Sequence, residues 1–273
     1  MTSENSRQLW AVAQMTGGSD VGRNVEMALE RIRRAAERGC DLVALPENCT
    51  FMGPESEKPN SAEALDGSSI SAFRELARSN GIAVSVGSFV ESSQDPGRPH
   101  NTSVLILKDG SVEAVYRKMH LFDVEVAGDR SYRESDRVTA GPATPVTGRV
   151  EGVTVGLSVC FDLRFPWLYG ALAAAGAQAL LVPAAFTVPT GHDHWQVLLR
   201  ARAIETQSFV LASAQAGTHA TGRQTYGRST IIDPWGVVLT IVPDGGELGF
   251  AELDFGKVAE VRTRMPMRSR GKG

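Results

Sequence analysis

Apolar and polar positions change period several times along the chain, and each change marks an element. Residues 8–15 read as a strand, followed by a turn through Gly17, Gly18 and Ser19 in which Asp20 or Asn24 can cap a helix. Beyond it Val25, Ala28, Leu29, Ile32, Ala35 and Ala36 recur at helical spacing, with Glu30, Arg31, Arg33, Arg34 and Glu37 filling the other face. Gly39 ends that helix. DLVALPE at 41–47 is a continuous apolar run closed by a carboxylate, the pattern of a strand covered on both faces. A helix near 68–79, capped by Ser68 or Ser69, and a strand at 82–90 repeat the alternation.

Strands then come in pairs. Segments 101–108 and 111–117 flank Asp109-Gly110, which reads as a two-residue hairpin turn. From 118 to 150 the chain is polar and rich in Gly, Pro and charge, predicting a long functional loop with little regular structure. Two strands follow, ending at VGLSVC, then a helix at 166–176, a strand QALLVPA, a helix at 193–204, a strand SFVLASAQ, a hairpin at 226–242 and a strand at 249–254. This order predicts an α/β fold with two sheets face to face and helices outside them. No repeat, linker or compositional break divides residues 1–273, so one domain is expected, with a core over 8–255 and a tail over 256–273. Arg262, Arg264, Arg268, Arg270 and Lys272 in that tail fit a frayed, solvated end or an arm on a partner subunit.

Composition narrows the function classes. The chain is 42% hydrophobic and 22% charged with a formal net charge of −3, which lacks the basic excess that nucleic acid rewards. No apolar leader or membrane-length run is visible, so no membrane partner and a cytoplasmic location are expected. Cys40, Cys49 and Cys160 are an odd count without zinc-type spacing, implying neither a disulfide framework nor a structural metal. His192 and His194 diverge at a helix start and lack a third ligand, so no metal site is expected there either.

Three polar residues follow apolar strands. Cys160 closes VTVGLSV, and Pro166 suits the first turn of the next helix. A sulfur between strand end and helix N-terminus feels the positive end of the helix dipole, which predicts a lowered thiol pKa and an activated nucleophile. The N–H of Phe161 can face an oxyanion on a bound carbonyl. Glu47 after LVAL needs a partner or a proton-transfer role to offset burial. Lys118, in the pair Arg117-Lys118, can stabilise a thiolate and a tetrahedral oxyanion if the three strand ends share one edge. Each alone also fits a plain structural role.

The stretches VALPENC, RKMHLFD, VGLSVCFDLRFP and LLRARAIETQSFV resemble the nitrilase superfamily of carbon–nitrogen hydrolases, and the resemblance runs from about residue 8 to residue 267. It implies a four-layer αββα sandwich, homodimers or higher homo-oligomers, no cofactor, and a Glu–Lys–Cys triad carried onto Glu47, Lys118 and Cys160. A second glutamate that positions the lysine matches Glu134 in YRESDRVTAG. HLFDVEV, RESDRVTAG, HWQVLLRARAIETQ and YGRSTIIDPWG are similar to the branch containing deaminated glutathione amidase and omega-amidase. That branch implies a thiol amidohydrolase cleaving a small carboxylate-bearing amide to acid and ammonia through a cysteine thioester. Arg164 then fits a substrate-carboxylate clamp, or alternatively an ion pair with Asp162. Phe161 stands where relatives often have Tyr, and His194 is expected on the pocket wall. Omega-amidase, N-carbamoyl amidase and nitrilase remain alternatives, as do a non-catalytic interaction protein on the same fold and a redox-sensing thiol protein.

Overall fold

The computed structural model describes residues 7–125 and 131–267. The first half runs β1 (Arg7–Met15), α1 (Val21–Glu37), β2 (Leu42–Ala44), α2 (Ser68–Asn80), β3 (Ala83–Glu91), β4 (His100–Ile106) and β5 (Val112–Arg117). Two short strands, β6 (Asp123–Glu125) and β7 (Ser131–Arg133), lead to β8 (Val146–Val150), β9 (Val153–Leu157), α3 (Pro166–Ala174) and β10 (Ala179–Leu181). The last part comprises α4 (Val188–Thr190), α5 (Gln196–Thr206), β11 (Phe209–Ala212), β12 (Ala214–Thr218), β13 (Gln224–Tyr226), β14 (Thr230–Ile232), β15 (Val238–Ile241), β16 (Leu248–Asp254) and α6 (Gly256–Arg264).

Two sheets form the centre. One is eight-stranded, ordered β13-β12-β1-β2-β3-β4-β5 with β16 also on β1, and the other is six-stranded, ordered β15-β14-β11-β10-β9-β8. Alternation along β1 explains the layering, because successive side chains of a strand point to opposite faces. Trp10 and Val12 join a buried cluster with Leu157, Leu181 and Leu211 of the second sheet. Ala11, Ala13 and Met15 instead pack with Ala28, Ile32 and Ala35 of α1 and Phe73 of α2. Leu168 and Leu172 of α3 and Leu199 and Ala203 of α5 cover the second sheet. The result is the αββα sandwich. Among the described residues no helix is long and apolar enough to cross a membrane.

Several local expectations change. Asp20 caps α1 by accepting from the Arg23 N–H, but α2 has Gly67 at its cap, and the Glu63 carboxylate, not Ser68 or Ser69, takes the Ser69 N–H. The β4–β5 connection occupies 107–111, longer than a two-residue turn, because the Leu107 N–H donates to the Ser111 carbonyl and Gly110 adopts φ 80°. Segment 118–150 is not without regular structure: β6 pairs antiparallel with β7, a 3-10 turn follows at Glu134–Asp136, and β8 pairs with β9. β6 and β7, three residues each, are too short and too polar for periodicity to reveal, whereas β8 and β9 are the two strands expected to end at VGLSVC. The helix expected at 193–204 begins as a π turn at Gly191–Trp195 and continues as α5 to Thr206. The hairpin expected at 226–242 is β14–β15, while β13 folds back on β12. The tail is not frayed at Arg262, which lies in α6 and donates to the carbonyls of Ala177 and Thr206 and to the Ser208 hydroxyl. Arg268, Arg270 and Lys272 lie outside the described residues.

Candidate active site

The glutamate arm rests on a short strand. β2 ends at Ala44, and the chain continues beside β3, whose pairing with β4 shifts register between Val86 and Phe89. At that irregularity the Asn48 N–H donates to the Ser88 hydroxyl and the Cys49 N–H to the Ser88 carbonyl. Gly87 permits the approach, since a Cβ there would lie 2.0 Å from the Leu45 carbonyl oxygen. Asn48 turns the chain at φ 56°, and the Gln215 side-chain amide donates to the Glu47 carbonyl. Glu47 is thereby held buried, facing the space between the sheet ends.

The lysine arm follows from the alternation of β5. Arg117 and Lys118 point oppositely: Arg117 forms a bidentate pair with Glu91, while Lys118 turns inward and is buried. Its Nζ lies 3.0 Å from Glu47 Oε1 and 2.8 Å from Glu134 Oε2. Glu134 reaches this position from its 3-10 turn, where it also accepts from the Phe122 N–H at 2.7 Å. Asn101 Nδ2 bridges the two carboxylates, donating at 3.0 Å to Glu47 and 3.3 Å to Glu134, and the Ala185 N–H donates at 2.8 Å to Glu47 Oε2.

Cys160 sits in an elbow. It adopts φ 49°, a left-handed conformation that typically costs a non-glycine residue about 1–3 kcal/mol and persists where surroundings fix it. Here the Cys160 N–H donates to the Pro183 carbonyl, and the fully buried Asp162 carboxylate accepts from the Val159 N–H, the Tyr116 hydroxyl and the His120 N–H. His120 Nδ1 also meets Asp162 at 2.6 Å, and its ring stacks on Phe165 at a centroid distance of 3.6 Å. A 3-10 helix, Cys160–Arg164, precedes α3, and Phe161 lies in its first turn, where a backbone N–H has no intrahelical acceptor.

Charge states follow from this packing. Burial works against the Lys118 ammonium, but Glu134, Glu47 and Cys160 outweigh it and hold its pKa well above the ordinary lysine value. Lys118 is therefore a fixed cation and cannot serve as a base. Burial likewise works against an ionised Glu134, yet the ammonium groups of Lys118 and Lys58 and its hydrogen bonds keep its carboxyl below the usual range. Cys160 differs from the dipole-based expectation: burial first, then the adjacent Glu47 carboxylate, push its thiol up, overriding the Lys118 ammonium and the Ala185 N–H. The resting group is a neutral thiol beside a carboxylate, so its deprotonation must accompany attack.

Glu47, Lys118, Glu134, Cys160, Phe161 and Arg164 all line one cavity of about 270 Å³. Arg164 does not pair with Asp162, whose oxygens are committed to the elbow. Its guanidinium lies 5.2 Å over the Phe186 ring, and no described carboxylate forms an ion pair with it. His194 is not on the cavity wall: it is exposed and meets Arg164 Nη1 at 3.3 Å, while His192 pairs outward with Asp193. Asn101, Tyr116 and the Ala185 N–H escaped sequence reasoning, and Asp162 was legible only as an ion-pair partner of Arg164, not as the acceptor for Val159, Tyr116 and His120. A carboxylate two residues past the cysteine and an asparagine opening an apolar strand were the available signals.

Residues 9–263 match the carbon–nitrogen hydrolase family. The deaminated glutathione amidase of Synechocystis sp. is 41% identical over 260 residues, covering 94% of this chain and 96% of that protein. Among crystal structures, the C. elegans NitFhit protein superposes with a TM-score of 0.90 at 40% identity, over 95% of this chain and 64% of that one. A mutant amidase from Nesterenkonia sp. superposes with a TM-score of 0.81 at 27% identity, over 97% and 99%, and carries the acetamide moiety of fluoroacetamide covalently added at its active-site cysteine.

Proposed function

Since this chain belongs to the carbon–nitrogen hydrolase family, we propose that it is a thiol amidohydrolase of deaminated glutathione amidase type, acting on a small amide that carries a carboxylate. One observation carries the reading: Lys118 sits between Glu47 and Glu134 at the mouth of the Cys160 elbow, inside a cavity whose described cationic side chains outnumber its carboxylates. Glu47 takes the Cys160 proton as the sulfur attacks the amide carbonyl, and Lys118 with the Phe161 N–H holds the oxyanion. Glu47 then passes that proton to the leaving nitrogen, releasing ammonia or, from a substituted amide, an amine. Water, deprotonated by Glu47, hydrolyses the thioester to a carboxylic acid and restores the thiol. Glu134 keeps Lys118 charged and placed. Arg164, without a carboxylate partner of its own, supplies a bidentate clamp for a carboxylate on the acyl half. Phe161 adds its ring to the same wall, and His194 orients Arg164.

The test is a panel of deaminated glutathione, α-ketoglutaramate, an N-carbamoyl amino acid and a simple nitrile. Highest kcat/KM on deaminated glutathione supports the reading, and no hydrolysis of any amide overturns it. Exposed Trp167, Ile204, Trp235 and Val237 beside the elbow helices favour a homodimer, which sedimentation would detect. Three free cysteines fit a reducing, cytoplasmic setting.

A further inference from the structure

Two side chains at the elbow take no part in the hydrolytic cycle, yet they join its two arms. Lys118 follows β5 of the eight-stranded sheet, and Cys160 follows β9 of the six-stranded sheet. Asp162 stands between them, fully buried, and its two oxygens hold different partners. Oδ2 accepts from the Val159 N–H at 2.8 Å, one residue before the nucleophile, and from the hydroxyl of Tyr116 on β5 at 2.7 Å. Oδ1 accepts from the N–H of His120, two residues after Lys118, at 3.2 Å and meets the Nδ1 of the same residue at 2.6 Å. A carboxylate has no proton to give, so Nδ1 is the donor and the tautomer is fixed. The imidazole is held in place by Phe165, stacked on it with ring planes 8° apart, and by Trp167, packed T-shaped with centroids 5.5 Å apart.

Neither His120 nor Asp162 is among the residues that line the cavity, so any effect on the reaction passes through others. The oxyanion needs Lys118 Nζ and the Phe161 N–H to converge on one oxygen, and these donors hang from different sheets. Cys160 also keeps its left-handed backbone, φ 49°, only while its flanks are held. We infer that His120 is a positioning residue: through its Nδ1 proton it locks Asp162, and the locked carboxylate sets the Cys160 elbow, with its Phe161 N–H, in register with Lys118. The inference rests on the amidase reading above and goes beyond it by adding a residue outside the cavity on which the rate depends.

Two substitutions in the full-length protein separate the proton from the ring. His120→Asn puts an amide N–H near the place of Nδ1 and removes the ring, whereas His120→Phe keeps a ring to stack on Phe165 and removes the donor. In His120→Phe, kcat falls about 10- to 100-fold, the order of loss for a misplacement of about 1 Å, while KM stays within about threefold of wild type. His120→Asn recovers most of that loss. Alkylation of Cys160 by a small haloacetamide, which requires no amide turnover, slows in the same order. Tyr116→Phe removes the other side-chain donor to Asp162 and serves if His120→Phe does not fold: it too lowers kcat and spares KM, and a wild-type kcat there overturns the inference. A His120→Phe variant as fast as or faster than His120→Asn, or a loss carried by KM, overturns the inference and leaves the amidase reading standing. If the wild type hydrolyses no amide, the amidase reading falls and alkylation alone decides: rates falling from wild type through His120→Asn to His120→Phe keep the positioning role, and equal rates overturn it.

Discussion

Replacing Lys118 with methionine probes stability and chemistry at once. In the wild type its ammonium is buried between Glu47 and Glu134, at 3.0 and 2.8 Å. The methionine side chain fills the volume but leaves two carboxylates facing each other, supported by the hydrogen bonds of Asn101, the Ala185 N–H and the Phe122 N–H and by the Lys58 ammonium beside Glu134. Breaking a buried ion pair from one side typically costs about 3–5 kcal/mol, a large part of the stability of a domain. Losing an oxyanion donor costs about 100- to 1,000-fold in rate, or about 2.7–4 kcal/mol of transition-state stabilisation. Urea denaturation should therefore show a lower midpoint with an unchanged slope. Pre-steady-state amine release should show slowed acylation.

The pH dependence carries the sign. In the wild type the depressed Glu134 carboxyl contributes stability above its unfolded pKa, about 4.3, and that contribution is lost as pH falls through the lower folded value. The raised Lys118 contributes below its unfolded pKa, about 10.4, and loses that contribution only as pH rises through the higher folded value, so it is constant across neutral pH. In Lys118→Met the stranded carboxylates resist ionisation and protonation relieves them. The stability gap between the two proteins should be widest near pH 7 and narrow toward about pH 4. Lys118→Met with Glu134→Gln should regain part of the stability and none of the activity. A single variant with near-wild-type kcat/KM, or one destabilised by less than about 1 kcal/mol, would refute the reasoning.

Glu47→Gln separates acidity from turnover: it removes the carboxylate that raises the Cys160 thiol, so the thiol pKa read by pH-dependent alkylation should fall while amide turnover drops about 100- to 10,000-fold. A small haloacetamide that fits the cavity should add one acetamide group at Cys160 in a peptide map and leave Cys40 and Cys49 untouched, since both are packed in the apolar cluster beneath α1 and neither lines the cavity where Glu47 can take the thiol proton. Gly87→Ala should destabilise the fold by about 1–3 kcal/mol and lower kcat, because the added methyl drives against the Leu45 carbonyl and moves the segment that carries Glu47. Calorimetry and steady-state kinetics check that pair of effects.

Long elements were legible because their periodicity is strong. Ile32 and Ala35 on α1, or Trp10 alternating with Ala11 on β1, state their faces directly. Glu47, Lys118 and Cys160 were legible as polar residues following apolar runs, and Glu134 only through its likeness to a known motif. What stayed hidden is long-range. Asn101 bridges partners 54 and 33 residues away, and Asp162 closes on His120 and Tyr116 across 42 and 46 residues, separations that no local pattern encodes. The acidity of Cys160 went the other way from expectation for the same reason: the helix-end argument is local, whereas burial and Glu47 arrive from other parts of the chain.

The central claim, that Cys160 carries the acyl group of a carboxylate-bearing amide, is tested by acid-quenching the wild-type protein during turnover and measuring intact and peptide masses. The account predicts an acyl adduct on the Cys160 peptide that vanishes as substrate is exhausted and is absent from Cys160→Ala, which releases no amine. Amine release by Cys160→Ala at the wild-type rate, or an adduct on any other residue, would contradict it.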